Sequence, residues 1–111
     1  MPTISKDNNC VTLINVFAVE PARQGQLIDL LIRATTTTVA NVAGFMSASF
    51  HRSLDGTKVT VYAQWRSQED YQAMRRNPSS SPYLEEALTL ARFEPGMYEV
   101  VEVVTKPTAG A

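Results

Sequence analysis

The residue pattern predicts an α+β domain of the ferredoxin-like, split βαβ kind. The expected element order is β-α-β-β-α-α-β, with one antiparallel four-stranded sheet and helices on one face. Three observations carry this. Four segments alternate or run apolar as strands do, and three stretches repeat apolar residues at helical spacing. Asp55-Gly56 stands between two of the strands as a hairpin turn. Within Lys58 to Tyr71 (KVTVYAQWRSQEDY) the period changes from two to helical at Ser67, which marks a strand-to-helix corner.

Taken in order, Val11 to Val19 is the first strand. Leu13, Asn15, Phe17 and Val19 share one face, and Ile14, Val16 and Ala18 the other, so both faces are mostly apolar, as in a central strand. Pro21 opens a helix at about Ala22. Leu27, Leu30, Leu31 and Ala34 form its stripe, and the helix is expected to run through Thr35–Thr38 to about Val42, with Gly44 as its stop. Phe45 to Arg52 is the second strand and Lys58 to Trp65 the third, paired back on it through the turn. The third strand points Val59, Val61, Ala63 and Trp65 one way and Thr60, Tyr62 and Gln64 the other. Ser67 caps a second helix, Gln68 to about Arg76, with acidic residues in its first turn. Asn77-Pro78-Ser79-Ser80 is a break. Ser81 caps a third helix with Pro82 at its first position, a stripe of Leu84, Ala87, Leu88 and Ala91, and an end at Pro95-Gly96. Met97 to Thr105 is then the fourth strand. Residues 1–10 and 106–111 are expected to be tails around a single domain, 11–105.

Helices on one face leave the other sheet face bare. Ile14, Val16, Tyr62, Val100 and Val104 would lie there, more apolar surface than a monomer normally exposes, which predicts a homodimer packed sheet to sheet.

Composition narrows the function classes. A chain of 111 residues with 44% hydrophobic and 19% charged residues is one globular domain. A net charge of −1 without a basic cluster argues against nucleic acid. One cysteine and one histidine argue against a disulfide framework or a protein-ligated metal. No stretch has the length and apolarity of a membrane span, and Met1 to Asn9 lacks a signal-peptide core, so a cytoplasmic location is expected.

Several side chains are candidates for chemistry. Trp65 and Tyr71 put two aromatic rings at one corner, able to stack on a flat substrate and donate hydrogen bonds. Asn15 is an amide among apolar neighbours on a central strand, and burying it unpaired costs about 1–3 kcal/mol unless something bonds to it. His51 is the side chain that titrates near neutrality without a special environment. Arg75 offers a cation for an acidic group. For each there is a plainer role: core packing for Trp65 and Tyr71, a backbone brace for Asn15, exposed surface for His51 and Arg75.

The segment GFMSASFHRSLDGTKVTVYAQWRSQEDY, from Gly44 to Tyr71, resembles the antibiotic biosynthesis monooxygenase domain family. Gly44-Phe45, Ser47-Ala48, His51, Asp55-Gly56, Tyr62-Ala63-Gln64-Trp65, Ser67 and Tyr71 carry the likeness, which is closest to the small cofactor-independent anthrone monooxygenases of aromatic polyketide pathways. The resemblance implies a dimeric α+β barrel with a pocket between sheet and helices in each subunit, lined by Trp65, Tyr71 and an asparagine where this chain has Val61. Phe17, Val61, His51 and Arg75 are then candidate substrate-binding residues, beside Trp65, Tyr71 and Asn15 as catalytic ones. It also implies no cofactor: dioxygen reacts with an electron-rich anthrone or quinol held as its anion. The haem-degrading branch of the family pairs an asparagine matching Asn15 and the same tryptophan with a histidine on the second helix. Here that helix has none, and Arg75 stands about where it would be, so haem ligation of that kind is not expected. A non-catalytic dimeric binding or stress-response module with the same pocket is the alternative function, and a haem-degrading type of monooxygenase the third.

Overall fold

A computed structural model describes Ile4, residues 10–76 and residues 81–107. The expected break at Asn77–Ser80, most of both expected tails and the capping side chain of Ser81 lie outside the described residues.

The elements are β1 (Val11–Val19), α1 (Gln24–Thr37), β2 (Phe45–Arg52), β3 (Lys58–Trp65), α2 (Gln68–Arg75), α3 (Ser81–Leu90) and β4 (Ala91–Tyr98), with short 3₁₀ turns at Pro21–Arg23 and Val39–Asn41. The sheet is antiparallel in the order β2-β3-β1-β4, so β1 and β3 are the central pair. This is the ferredoxin-like α+β layout expected from the pattern. Alternation decides which way each strand faces. Leu13, Phe17 and Val19 of β1 and Val59, Val61, Ala63 and Trp65 of β3 are all buried, while Ala18 is exposed and Ile14, Val16 and Tyr62 are partly so. The inner face meets Leu27 and Leu30 of α1 and Ala87 of α3, three residues that are at most 5% exposed. Burying each such leucine is worth roughly 1.5–3 kcal/mol. A second cluster, Leu13, Ala63, Trp65, Tyr71 and Met74, joins the sheet to α2.

The first helix and the α3–β4 segment differ from expectation. The first helix stops at Thr37 and does not run on to Val42. Thr35, Thr36 and Thr37 each donate their hydroxyl to the carbonyl four residues back, at 2.9, 2.9 and 2.7 Å. Hydroxyls competing for the helix carbonyls, on β-branched side chains, favour an end there. The fourth strand begins at Ala91, within the segment expected to be helical, and ends at Tyr98. Pro95 and Gly96 lie inside it. β4 is an edge strand, where a missing N–H and a missing side chain are tolerated. Its driving contact is Phe93, paired opposite Phe17 and stacked on it with ring centres 4.9 Å apart. Ala91 accordingly belongs to β4, and Leu88 of the expected α3 stripe is 50% exposed. Residues 99–105 stand outside any ladder, with Val101 and Val104 exposed.

Candidate active site

The corner after β3 is held by a closed set of polar contacts. Ser67 caps α2 by accepting from the Asp70 N–H at 3.1 Å, and its hydroxyl donates back to the Asp70 carboxylate at 2.9 Å. Arg66 grips the same carboxylate with two nitrogens, at 2.8 and 3.1 Å. These bonds, Arg66 first and Ser67 next, keep the Asp70 carboxyl below the usual carboxylate range. The Arg66 N–H donates to the Gly44 carbonyl at 2.7 Å, which ties the corner to the start of β2. Gly44 has φ of +89°, and a Cβ there would run into the Asp70 side chain. Only glycine permits both that backbone and that approach.

The corner orients three rings. Trp65 is 1% exposed. Its ring meets Phe45 edge-on at 5.5 Å and Tyr71 edge-on at 5.7 Å. Aromatic pairs prefer such edge-to-face contacts. Together they form one wall of a cavity of about 330 Å³ between the inner sheet face and the helices.

Asn15, Phe17, Val61, Trp65, Tyr71 and Arg75 all line that cavity. The structure thus brings together six of the seven residues singled out from the sequence. Asn15 enters from β1, directly opposite Val61 of β3 in the ladder. Its Oδ1 is buried and, among the described residues, has no hydrogen-bond partner. Tyr71 and Arg75 lie one turn apart on α2, and Arg75 Nη1 donates to the Tyr71 hydroxyl at 2.9 Å.

His51 does not reach the site. Phe50 pairs opposite Val61 and lines the cavity, so its neighbour His51 points to the other side of the sheet, exposed. There its Nε2 lies 2.9 Å from the Ser49 hydroxyl. The strand's period of two makes Ser47, Ser49 and His51 one outward row. Gln64, in that row's neighbourhood, accepts from the Ser47 hydroxyl at 3.2 Å.

Sequence reasoning missed Phe93 and Tyr83. Phe93 falls within the segment expected to be helical, although Arg92-Phe93-Glu94 alternates as a strand does. Tyr83, from α3, lines the cavity and its hydroxyl lies 3.3 Å from that of Thr37, joining α3 to the end of α1. No periodic signal in the sequence marks that contact. Among the described residues, no three of His, Cys, Asp and Glu come together as a metal ion would need.

A family model described as antibiotic biosynthesis monooxygenase matches residues 10–86. The chain belongs to this family. Membership makes it an oxidoreductase of the monooxygenase kind. It is 41% identical over 100 residues to the tetracenomycin-F1 monooxygenase of Streptomyces glaucescens, covering 90% of this chain and 89% of that one. Among solved structures, SnoaB, a cofactor-independent oxygenase from Streptomyces nogalater, superposes with a TM-score of 0.77 at 20% identity, over 89% of this chain and 100% of that one. The monooxygenase of the Streptomyces coelicolor gene ActVA-Orf6, solved with nanaomycin D, gives a TM-score of 0.77 at 27% identity, over 87% of this chain and 92% of that one.

Proposed function

We propose that the protein inserts oxygen from dioxygen into an electron-rich polycyclic phenol, an anthrone or a quinol of the aromatic polyketide kind, without a cofactor. One observation carries the reading: a largely apolar cavity with an aromatic wall, open on one side, which the amide oxygen of Asn15 and the Tyr71–Arg75 pair line. A volume of about 330 Å³ is at the lower end of small-molecule sites and suits a few fused rings. The relatives point the same way, since one acts on tetracenomycin F1 and another holds nanaomycin D.

The chemistry asked of the protein is modest. An electron-rich phenol, once deprotonated, can pass an electron to dioxygen; radical recombination gives a hydroperoxide, and loss of water gives the quinone. The site's apolar lining reduces water around the ring, its aromatic wall orients it, and directed hydrogen bonds stabilise the anion. Val61 offers no such bond where the resemblance places an asparagine. Asn15, its partner across the ladder, places an amide at the same level of the cavity.

The assembly proposed with this function is a homodimer. Among the described residues no helix covers the outer sheet face and the Tyr62 hydroxyl there is buried without a partner, while the strand-patterned segment 99–105 lies outside the ladders with Val101, Val103 and Val104 exposed. A second copy supplies both a cover and a pairing edge.

Oxygen uptake by metal-stripped protein across a panel of anthrones and quinols tests the reading. Stoichiometric uptake with quinone formation is expected. Binding of these compounds without uptake would instead favour the non-catalytic module.

A further inference from the structure

The Tyr71–Arg75 pair has a directional consequence. A guanidinium carries donors only, so in the 2.9 Å bond the Tyr71 oxygen is the acceptor. The Tyr71 proton must then be given to something else, and among the described residues nothing accepts it. The Arg75 guanidinium lies 5.9 Å from the Tyr71 ring centre and 5.8 Å from that of Phe93, so its charge bridges α2 and β4 at the cavity rim. A donor facing the cavity, backed by a fixed cation, is strengthened as charge-assisted hydrogen bonds are.

We infer that Arg75 is a positioning residue that acts through Tyr71 to make the cavity select the ionised, phenolate form of its aromatic ligand. This rests on the proposed function above. The other titratable groups lining the cavity are Tyr83 and Glu85, both from α3. Tyr83 is engaged with Thr37. Glu85 and Arg75 are both exposed, so water screens the two charges alike, and Arg75 is distinguished by its direct 2.9 Å bond to the Tyr71 hydroxyl. The strands contribute no ionisable side chain to the lining. At the β1 end the requirement is reversed: the Asn15 oxygen lacks a donor. The ligand that satisfies both ends carries an ionised oxygen towards α2 and a hydroxyl towards β1.

The test uses 2-hydroxyanthraquinone, a phenol already at the quinone level, whose visible absorption reports its ionisation without turnover. Its ionisation midpoint is measured free and bound to the full chain. Bound to the parent protein the midpoint is expected to fall by about one unit or more, the usual effect of a nearby opposite charge. Arg75→Gln should return it towards the free value while the neutral dye still binds at low pH. Tyr71→Phe should do the same, and Arg75→Lys, which keeps charge but loses the planar fork, should keep part of the shift. Unchanged circular dichroism checks that the variants fold. A parent midpoint equal to or above the free value overturns the inference and leaves the proposed function standing. So does a shift that survives both Arg75→Gln and Tyr71→Phe. A dye that binds the parent at no pH overturns both.

Discussion

Replacing Asn15 by leucine should raise stability and lower activity at once. The Asn15 oxygen is buried without a partner, and such an orphan costs about 1–3 kcal/mol. Leucine is close to asparagine in shape, and a cavity of about 330 Å³ receives its extra methyl volume without overpacking. The expected gain is therefore about 1–3 kcal/mol, or a rise in Tm of roughly 4–12 °C for a domain near this size. Urea unfolding at fixed protein concentration measures it, since the stability of the proposed dimer would depend on concentration. The chain's one tryptophan, Trp65, sits in the cavity wall and supplies the fluorescence signal. In parallel, kcat/KM should fall by roughly two- to tenfold, the worth of one net neutral hydrogen bond of about 0.5–1.5 kcal/mol. A loss of stability would mean that the amide braces the backbone. Full activity with higher stability would mean that the amide never meets substrate. Either result refutes the assignment.

Trp65→Phe should lower turnover by about tenfold to a few hundredfold if the indole donor stabilises the reacting anion; the small void left at a site 1% exposed should cost about 1–2 kcal/mol, read by urea titration followed by circular dichroism. Gly44→Ala should destabilise by more than the roughly 1–2 kcal/mol that left-handed backbone alone costs an L-residue, because the new Cβ also meets Asp70; soluble protein with the parent Tm would contradict the corner geometry. Hydrogen bonds from the Thr57 hydroxyl and N–H, then the Ser53 hydroxyl, hold the Asp55 carboxyl down at about 2, below its ordinary 3.8. A depressed folded-state value contributes stability above about pH 4, which is lost as pH falls through about 2, so acid unfolding should set in across that window and Asp55→Asn should flatten it. Sedimentation at low micromolar concentration should give twice the mass of one chain, and a stable monomer would remove the argument from the bare sheet face.

Much of the site was legible because strand alternation is a strictly local property. In Val11–Val19 and Lys58–Trp65 a period of two put Asn15 with Leu13 and Phe17, and Val61 with Trp65, on faces that the structure turns inward. Ser67 and Asp70 likewise announced the corner, since a capping pair lies within four residues. Asn15 stood out for the same reason, as an amide on an apolar face. What lay beyond local pattern went wrong or unseen. Pro95-Gly96 signals a helix end locally, but β4 tolerates it because the strand lies at the sheet edge and Phe93 gains a stacking partner on β1. The threonine run ended α1 early through bonds to its own preceding turn. His51 shared a motif with the site residues and yet faces away, since its neighbour Phe50 takes the inward position. The bond between Tyr71 and Arg75, the contact of Tyr83 with Thr37, and the missing partner of the Asn15 oxygen were decided only in three dimensions. Tyr71 and Arg75 are a local pair one helix turn apart, but their place in the cavity, like the other two contacts, depends on which side chains from distant segments converge there, and that is set by the packing of the helices on the sheet, which no single stretch of sequence encodes.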